Sequence, residues 1–170
     1  MRSCRALMIT ATVLSAAGGC RGRSTPVDAA RKAVQADAER GIALVWQAYQ
    51  AAGPAADVPA FLAITTEDVA LSSPGMPTVR GQAGLRAFLE EGFKAAHYSE
   101  VSIFPDAPMI IGDRATQFGT YRETYTTSSG KRAIRDYGQF AAELRRGADG
   151  KWRIARQLAA KDSSAKVGSR

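Results

Sequence analysis

Few side chains in this sequence could move a proton near neutral pH, and most of them fall between residues 114 and 146. Two long strand-like runs lie there, joined by Ser128-Ser129-Gly130. In the first run Gln117, Tyr121, Glu123 and Tyr125 share a face by period two. In the second, Arg135, Tyr137 and Gln139 share one face and Asp136 takes the other. Either face can be the concave one. A carboxyl group on the concave face would be penalised in its ionised form and could act as acid or base, which makes Glu123 and Asp136 candidate catalytic residues. The same residues suit cross-strand ion pairs with Arg122 or Arg135. His97, the only histidine, is the third candidate, because its ring titrates near neutral pH. It is expected at the end of a helix, where it would also complement the dipole. Cys4 and Cys20 are the only thiols, and both lie in or beside a leader segment. A transition-metal site, a cysteine nucleophile and an iron–sulfur cluster are therefore not expected, and no cofactor is implied.

The elements that must hold these residues follow from periodicity. Val27, Ala30, Val34, Ala38, Ile42, Val45, Trp46 and Tyr49 recur at three- and four-residue steps, which predicts a long amphipathic helix. Gly41 is a mild flaw in it, and Gly53-Pro54 is the expected stop. Asp57 caps a short second helix with Pro59 in its first turn. Val69 to Ser72 reads as a strand, Pro74-Gly75-Met76-Pro77 as a turn, and Thr78 to Arg80 as a short return strand. Ala83 to Lys94 is a further helix, with Leu85, Phe88, Leu89 and Phe93 on one side. Strand material then fills the chain to about residue 158, broken at Pro105 and Pro108. Helices first and a meander last make an α+β domain, in which a curved antiparallel sheet packs on N-terminal helices and leaves a hollow cone.

The first twenty residues read as an export signal: Arg2 and Arg5, an apolar run from Ala6 to Ala17, then Gly18-Gly19-Cys20. The run is too short to span a bilayer, which needs about 20 residues. The predicted organisation is a signal at 1–20, a tether at 21–26, the domain at 27–158 and a disordered tail at 159–170. The net charge of +7 is scattered over leader, tether and tail, so it predicts a solvated basic surface and no nucleic-acid partner. Basic tails would also be drawn to anionic lipid headgroups.

Several short pieces carry a family resemblance. They are Trp46-Gln47-Ala48-Tyr49, Glu67-Asp68-Val69-Ala70-Leu71, Pro74-Gly75, Arg80-Gly81-Gln82, Ile111-Gly112-Asp113-Arg114-Ala115, Gly119-Thr120-Tyr121, Tyr137-Gly138-Gln139-Phe140, and Asp149-Gly150-Lys151-Trp152-Arg153-Ile154. In this order, from about Val34 to Leu158, they resemble the nuclear-transport-factor-2-like or SnoaL-like superfamily, the cystatin-like cone shared with ketosteroid isomerase. The resemblance implies a pocket lined by Trp46, Tyr49, Ser73, Tyr121, Tyr125 and Gln139. It also implies that the isomerase base position, at the end of the first strand before a proline, falls on Ser73. The helix tyrosine of the oxyanion hole falls on Trp46. A serine hydroxyl is a poor base and an indole a poor acid, so the isomerase set is not matched. Leu14-Ser15-Ala16-Ala17-Gly18-Gly19-Cys20 resembles a bacterial lipobox, with Ala17 where a leucine is usual. That implies lipidation at Cys20. With Arg21 next, it implies an outer-membrane protein facing the periplasm; the alternative is a soluble periplasmic or secreted protein.

Three functions follow as expectations. The first is a lipid-anchored module that binds a small apolar or amphipathic ligand without a complete catalytic set. The second is a SnoaL-like isomerase, lyase or hydrolase acting on a small carbonyl compound through Glu123, Asp136 or His97. The third is a structural homodimer. A carboxyl group or His97 pointing into an apolar cavity without a cationic partner would favour the second.

Overall fold

A computed structural model describes residues 25–167. The predicted signal, most of the tether and Cys20 lie outside the described residues. Helix α1 spans Pro26–Ala55. Thr25 and Asp28 form a reciprocal capping box at its start, with Pro26 in the first turn. Residues 25–35 are exposed all round. The helix packs from Ala38 onward, through Ile42, Val45 and Trp46. It does not stop at Gly53-Pro54 but runs through both and ends at Ala56, which is left-handed (φ 51°). The two helix glycines are contact points. A Cβ at Gly41 would lie 2.6 Å from Trp152 Cδ1, and one at Gly53 would lie 2.5 Å from Val101 Cγ2. Only glycine lets the helix axis come that close to the sheet.

Helix α2 (Val58–Ala63) is capped by Asp57, whose Oδ1 accepts from the Ala60 N–H at 2.9 Å. Strand β1 (Thr65–Ser72), the short β2 (Val79–Arg80) and helix α3 (Gly81–Ala95) follow. Then come β3 (Ala96–Pro105), β4 (Met109–Ile111), β5 (Arg114–Thr127), β6 (Ile134–Arg146) and β7 (Trp152–Lys166). One seven-stranded sheet has the order β2-β1-β7-β6-β5-β3, with β4 also on β5. Register shifts in the β1–β7, β3–β5 and β6–β7 pairs bend it around the helices. Among the described residues no helix is long and apolar enough to cross a membrane.

The α+β class and the helix-packed curved sheet are as expected, with one difference in pairing. β1 runs parallel to β7, while the other pairs are antiparallel. Hairpin connections fix antiparallel neighbours within the meander. β1 meets β7 only after α3 and the whole meander have intervened, so no turn dictates its direction. Two further expectations change. His97 is not at a helix end: α3 stops at Ala95, and His97 is an exposed residue of β3 opposite Thr126. Residues 159–166 are not a loose tail but continue β7, pairing with β6 as far as Ile134↔Lys166. The long β6 offers backbone partners along its whole length, which outweighs the polar composition of the segment.

The main core joins α1 to the meander through Ile42, Val45, Trp46, Phe140, Leu144, Trp152 and Ile154. A smaller cluster of Val58, Leu62, Val69 and Leu85 sits under α2 and α3. Between the two the molecule is hollow.

Candidate functional site

The hollow is a cavity of about 240 Å³. β5 and β7 supply its floor with Tyr121, Glu123, Ile154 and Gln157. α1 contributes Tyr49 and the bare backbone of Gly53. Phe61, Leu89 and Phe93 from α2 and α3 close the far wall, and Tyr98 comes from β3. The turn after β1 forms the lip through Ser73, Met76 and Pro77, facing Phe88 of α3. Met76 and Phe88 are 49% and 40% exposed, so the entrance itself is apolar. Aromatic rings run around the wall in contact: Tyr49 with Phe61 at 4.9 Å between centroids, Phe61 with Phe93 at 6.1 Å, and Phe93 with Tyr98 at 6.1 Å. Such edge and tilted contacts hold each ring in place. Tyr121 lies across Gly138: a Cβ there would be 2.5 Å from the Tyr121 ring.

Among the described residues Glu123 is the one acidic residue lining this cavity, and no arginine, lysine or histidine lines it. The expected ion pairs do not form. Arg122 Nη2 bonds Glu100 Oε1, and Arg135 Nε donates to Thr124 Oγ1 at 3.1 Å. Alternation along β5 and β6 sends these arginines to the opposite face of the sheet. Glu123 makes no hydrogen bond or ion pair among the described residues. Burial, and then the negative charge of Asp136, push its carboxyl up to about 7. Burial, and then the charge of Glu123, push the Tyr98 and Tyr121 phenols up to about 12. The same two causes raise Tyr49 still further, and the neighbouring Gln157 amide offsets a little of that rise. The cavity therefore presents one carboxyl group that can hold or release a proton near neutral pH. Around it stand phenols that stay protonated and can donate hydrogen bonds.

The other predicted residues divide clearly. Tyr49, Ser73 and Tyr121 line the cavity with Glu123. Trp46 does not: it is 2% exposed, and its Nε1 donates to Gln117 Oε1 at 2.7 Å. The α1 hydroxyl that reaches the cavity is that of Tyr49, nearly one helical turn on. Asp136 lies opposite Glu123 but outside the lining. It accepts from Tyr125 OH at 3.2 Å and Ser164 Oγ at 2.5 Å, with Lys161 Nζ at 3.5 Å. Tyr125 is taken up by that contact. Gln139 is exposed on the convex face and bonds Asp162 at 3.2 Å, beside a smaller depression lined by Phe104 and Phe118. His97 does not line the cavity. Tyr98 and Gln157, which do, escaped the sequence because register shifts beside them break the period-two pattern. Among the described residues no group of three or more His, Cys, Asp or Glu could hold a metal ion.

The geometry defines an α+β cone with an acid-bearing apolar cavity. Residues 45–162 match the sequence profile of the SnoaL-like domain, and the chain belongs to the SnoaL-like family. A ketosteroid isomerase-like protein from Erwinia carotovora atroseptica SCRI1043 is 25% identical. It superposes with a TM-score of 0.67 over 74% of this chain and 96% of its own. A conserved protein from Planctomyces limnophilus DSM 3776 is 21% identical (TM-score 0.67, 76% and 97%). The hexachlorocyclohexane dehydrochlorinase LinA-type3 from Novosphingobium barchaimii LL02 is 14% identical (TM-score 0.65, 84% and 96%) and shares the fold. No curated protein matches the sequence.

Proposed function

We propose that the cavity is the site of an acid–base enzyme of the isomerase or lyase kind, with Glu123 as the group that exchanges a proton with the substrate. One observation carries this: an unpaired carboxyl group buried among aromatic and aliphatic side chains and raised to about 7. A general acid or base works best when it titrates near the working pH. Tyr49, Tyr98 and Tyr121 are the donors that would stabilise charge developing on a substrate oxygen or leaving group. The substrate is compact, mostly apolar and not anionic, because no cationic side chain lines the cavity. About 150 Å³ suffices for benzene, so 240 Å³ suits a substituted single ring or an aliphatic molecule of that size. The similar structures include a protein described as ketosteroid isomerase-like, which is in keeping with an enzyme of this kind.

The second reading is a binding module. It is favoured by Ser73, which stands at the lip where the isomerase comparison would place the base. Deuterium exchange separates the two. The protein is incubated in heavy water with small cyclic ketones and halocycloalkanes, and carbon-bound deuterium and halide release are followed. Turnover by the wild type that falls about 100-fold or more in Glu123→Gln supports the enzyme. A ligand retained in native mass spectrometry, with no exchange across the panel, supports the binding module instead.

The anchoring part of the proposal places the domain on the membrane through a diacylglyceryl group on Cys20, on the periplasmic side. Labelling with palmitate in a bacterial host tests it. Incorporation that disappears in Cys20→Ser supports the anchor, and equal labelling of the two overturns it.

A further inference from the structure

We infer that Asp136 is a positioning residue for Glu123: a fixed negative charge, clamped by Ser164, Tyr125 and Lys161, that faces Glu123 across the β5–β6 ladder and governs which of its protonation forms occupies the cavity. The inference rests on the proton-transfer role proposed for Glu123.

Register pairs Glu123 directly with Asp136. Directly opposite side chains have Cβ atoms about 4.5–5.5 Å apart, and like charges there repel. Both lie on the inner face: Asp136 continues the buried row of Gly138, Phe140, Ala142 and Leu144, and Glu123 follows Tyr121 in the cavity lining. The partners are distributed unequally. Asp136 has a hydroxyl donor on each oxygen and an ammonium group at 3.5 Å. Glu123 has none. The arrangement therefore assigns the charge to Asp136 and the proton to Glu123, the pattern by which two neighbouring carboxyls take different roles.

The clamp depends on an irregularity. In a regular strand Lys161 and Ser164, three residues apart, would point to opposite faces. The β6–β7 register shifts between Tyr137 and Gly138, so that Tyr137 faces Ser163 while Gly138 faces Lys161, with Asp162 as the extra residue. That bulge brings Lys161 and Ser164 to the same carboxylate. The titratable groups around Glu123 are Tyr49 of α1, Tyr98 of β3, Tyr121 and Tyr125 of β5, Asp136 of β6, and Lys161 and Asp162 of β7. α2 and α3 contribute only apolar groups to the cavity lining. Asp162, the extra residue of the bulge, accepts from Gln139 of the convex face, and Lys161 is engaged by Asp136.

The test is a direct titration that needs no substrate. Full-length protein carrying ¹³C at glutamate Cδ is followed by NMR from pH 4 to 9, and the Glu123 resonance is identified by its loss in Glu123→Gln. In Asp136→Asn the Glu123 midpoint is expected to fall from about 7 toward 4.5, without reaching it because burial remains. In Lys161→Met it is expected to rise, since the positive charge partly offsetting Asp136 is gone. A structural role alone gives no such opposed shifts. A wild-type midpoint near 7 that neither variant moves overturns the role of Asp136 and leaves the proposed function standing. A wild-type midpoint near 4.5 overturns both. If Asp136→Asn folds poorly, Lys161→Met decides, because that side chain is half exposed: a rise supports the inference, and no change or a fall overturns it.

Discussion

Replacing Glu123 by glutamine should make the protein more stable, and only above a definite pH. The Glu123 carboxyl group has an ordinary value of 4.5 and is raised to about 7 in the folded chain. A raised folded-state value means the native protein holds the proton more tightly than the unfolded chain does. The stability this gives is fully present below pH 4.5 and is lost as the pH rises through about 7. Each unit is about 1.4 kcal/mol, so the loss is about 3 kcal/mol at pH 8, an upper value because the cavity mouth admits some solvent. Glutamine has nearly the same shape as the protonated acid and never ionises. The difference between Glu123→Gln and wild type should be flat below pH 4.5, grow between pH 5 and 7, and level off near 2–3 kcal/mol in favour of the variant. For a chain of this size that is roughly 5–10 °C in midpoint temperature. Urea unfolding read by tryptophan fluorescence suits the measurement, because the only two tryptophans, Trp46 and Trp152, are both buried. A difference independent of pH, or one favouring the wild type at pH 8, would refute the view of Glu123 as a buried and unpaired acid.

Four further substitutions test the packing around the site and the exposed start of α1. Gly53→Ala should destabilise by about 1–3 kcal/mol through the clash with Val101, more than the about 1 kcal/mol it gains in helix propensity. Gly92→Ala in α3 meets nothing within 4 Å and should stabilise by about 0.5–1 kcal/mol; urea midpoints compare the two. Trp46→Phe leaves Gln117 Oε1 without its indole donor and should lower stability by about 1–3 kcal/mol while leaving the Glu123 titration in place, as NMR would show. Thr25→Ala removes the capping box, but the first turns of α1 are exposed and bury no residue before Ala38. Circular dichroism should therefore show less helix with an unchanged urea midpoint.

Alternation along β5 was enough to group Tyr121 with Glu123 from the sequence, because that strand pairs with β6 without a break over twelve consecutive residue pairs. It could not say which face was concave. That is settled by α1, whose Trp46 bonds Gln117 on the row that also holds Glu123. The resemblance puts the helix hydroxyl position on Trp46, whose indole is taken up by Gln117, and it is Tyr49, three residues on, that reaches the cavity. The Lys161–Ser164 clamp was hidden because the polar composition of that segment reads as a loose tail. Tyr98 and Gln157 were hidden for another reason. Each lies near a register shift, where the period-two rule fails locally. The parallel β1–β7 pair was hidden because strand direction there is set by tertiary packing and not by a turn.

Nothing in the energetics of folding asks for a carboxyl group at position 123. Left ionised and unpaired, it removes about 3 kcal/mol from a total that for most domains is about 5–15 kcal/mol. The chain has cations within one residue on β5 and directly beside Asp136 on β6, yet Arg122 and Arg135 both turn to the convex face, where Glu100 and Thr124 engage them. A leucine or methionine at the same position would fill part of the cavity and bury more apolar surface, adding stability. Asp136 on the neighbouring strand shows that this sheet can satisfy a buried carboxylate fully, with two hydroxyl donors and a lysine. Two facing carboxyls, one satisfied and one left bare toward an apolar cavity, make a poor structural motif and a good proton-transfer site. The missing partner of Glu123 is best supplied by whatever enters past Met76 and Phe88.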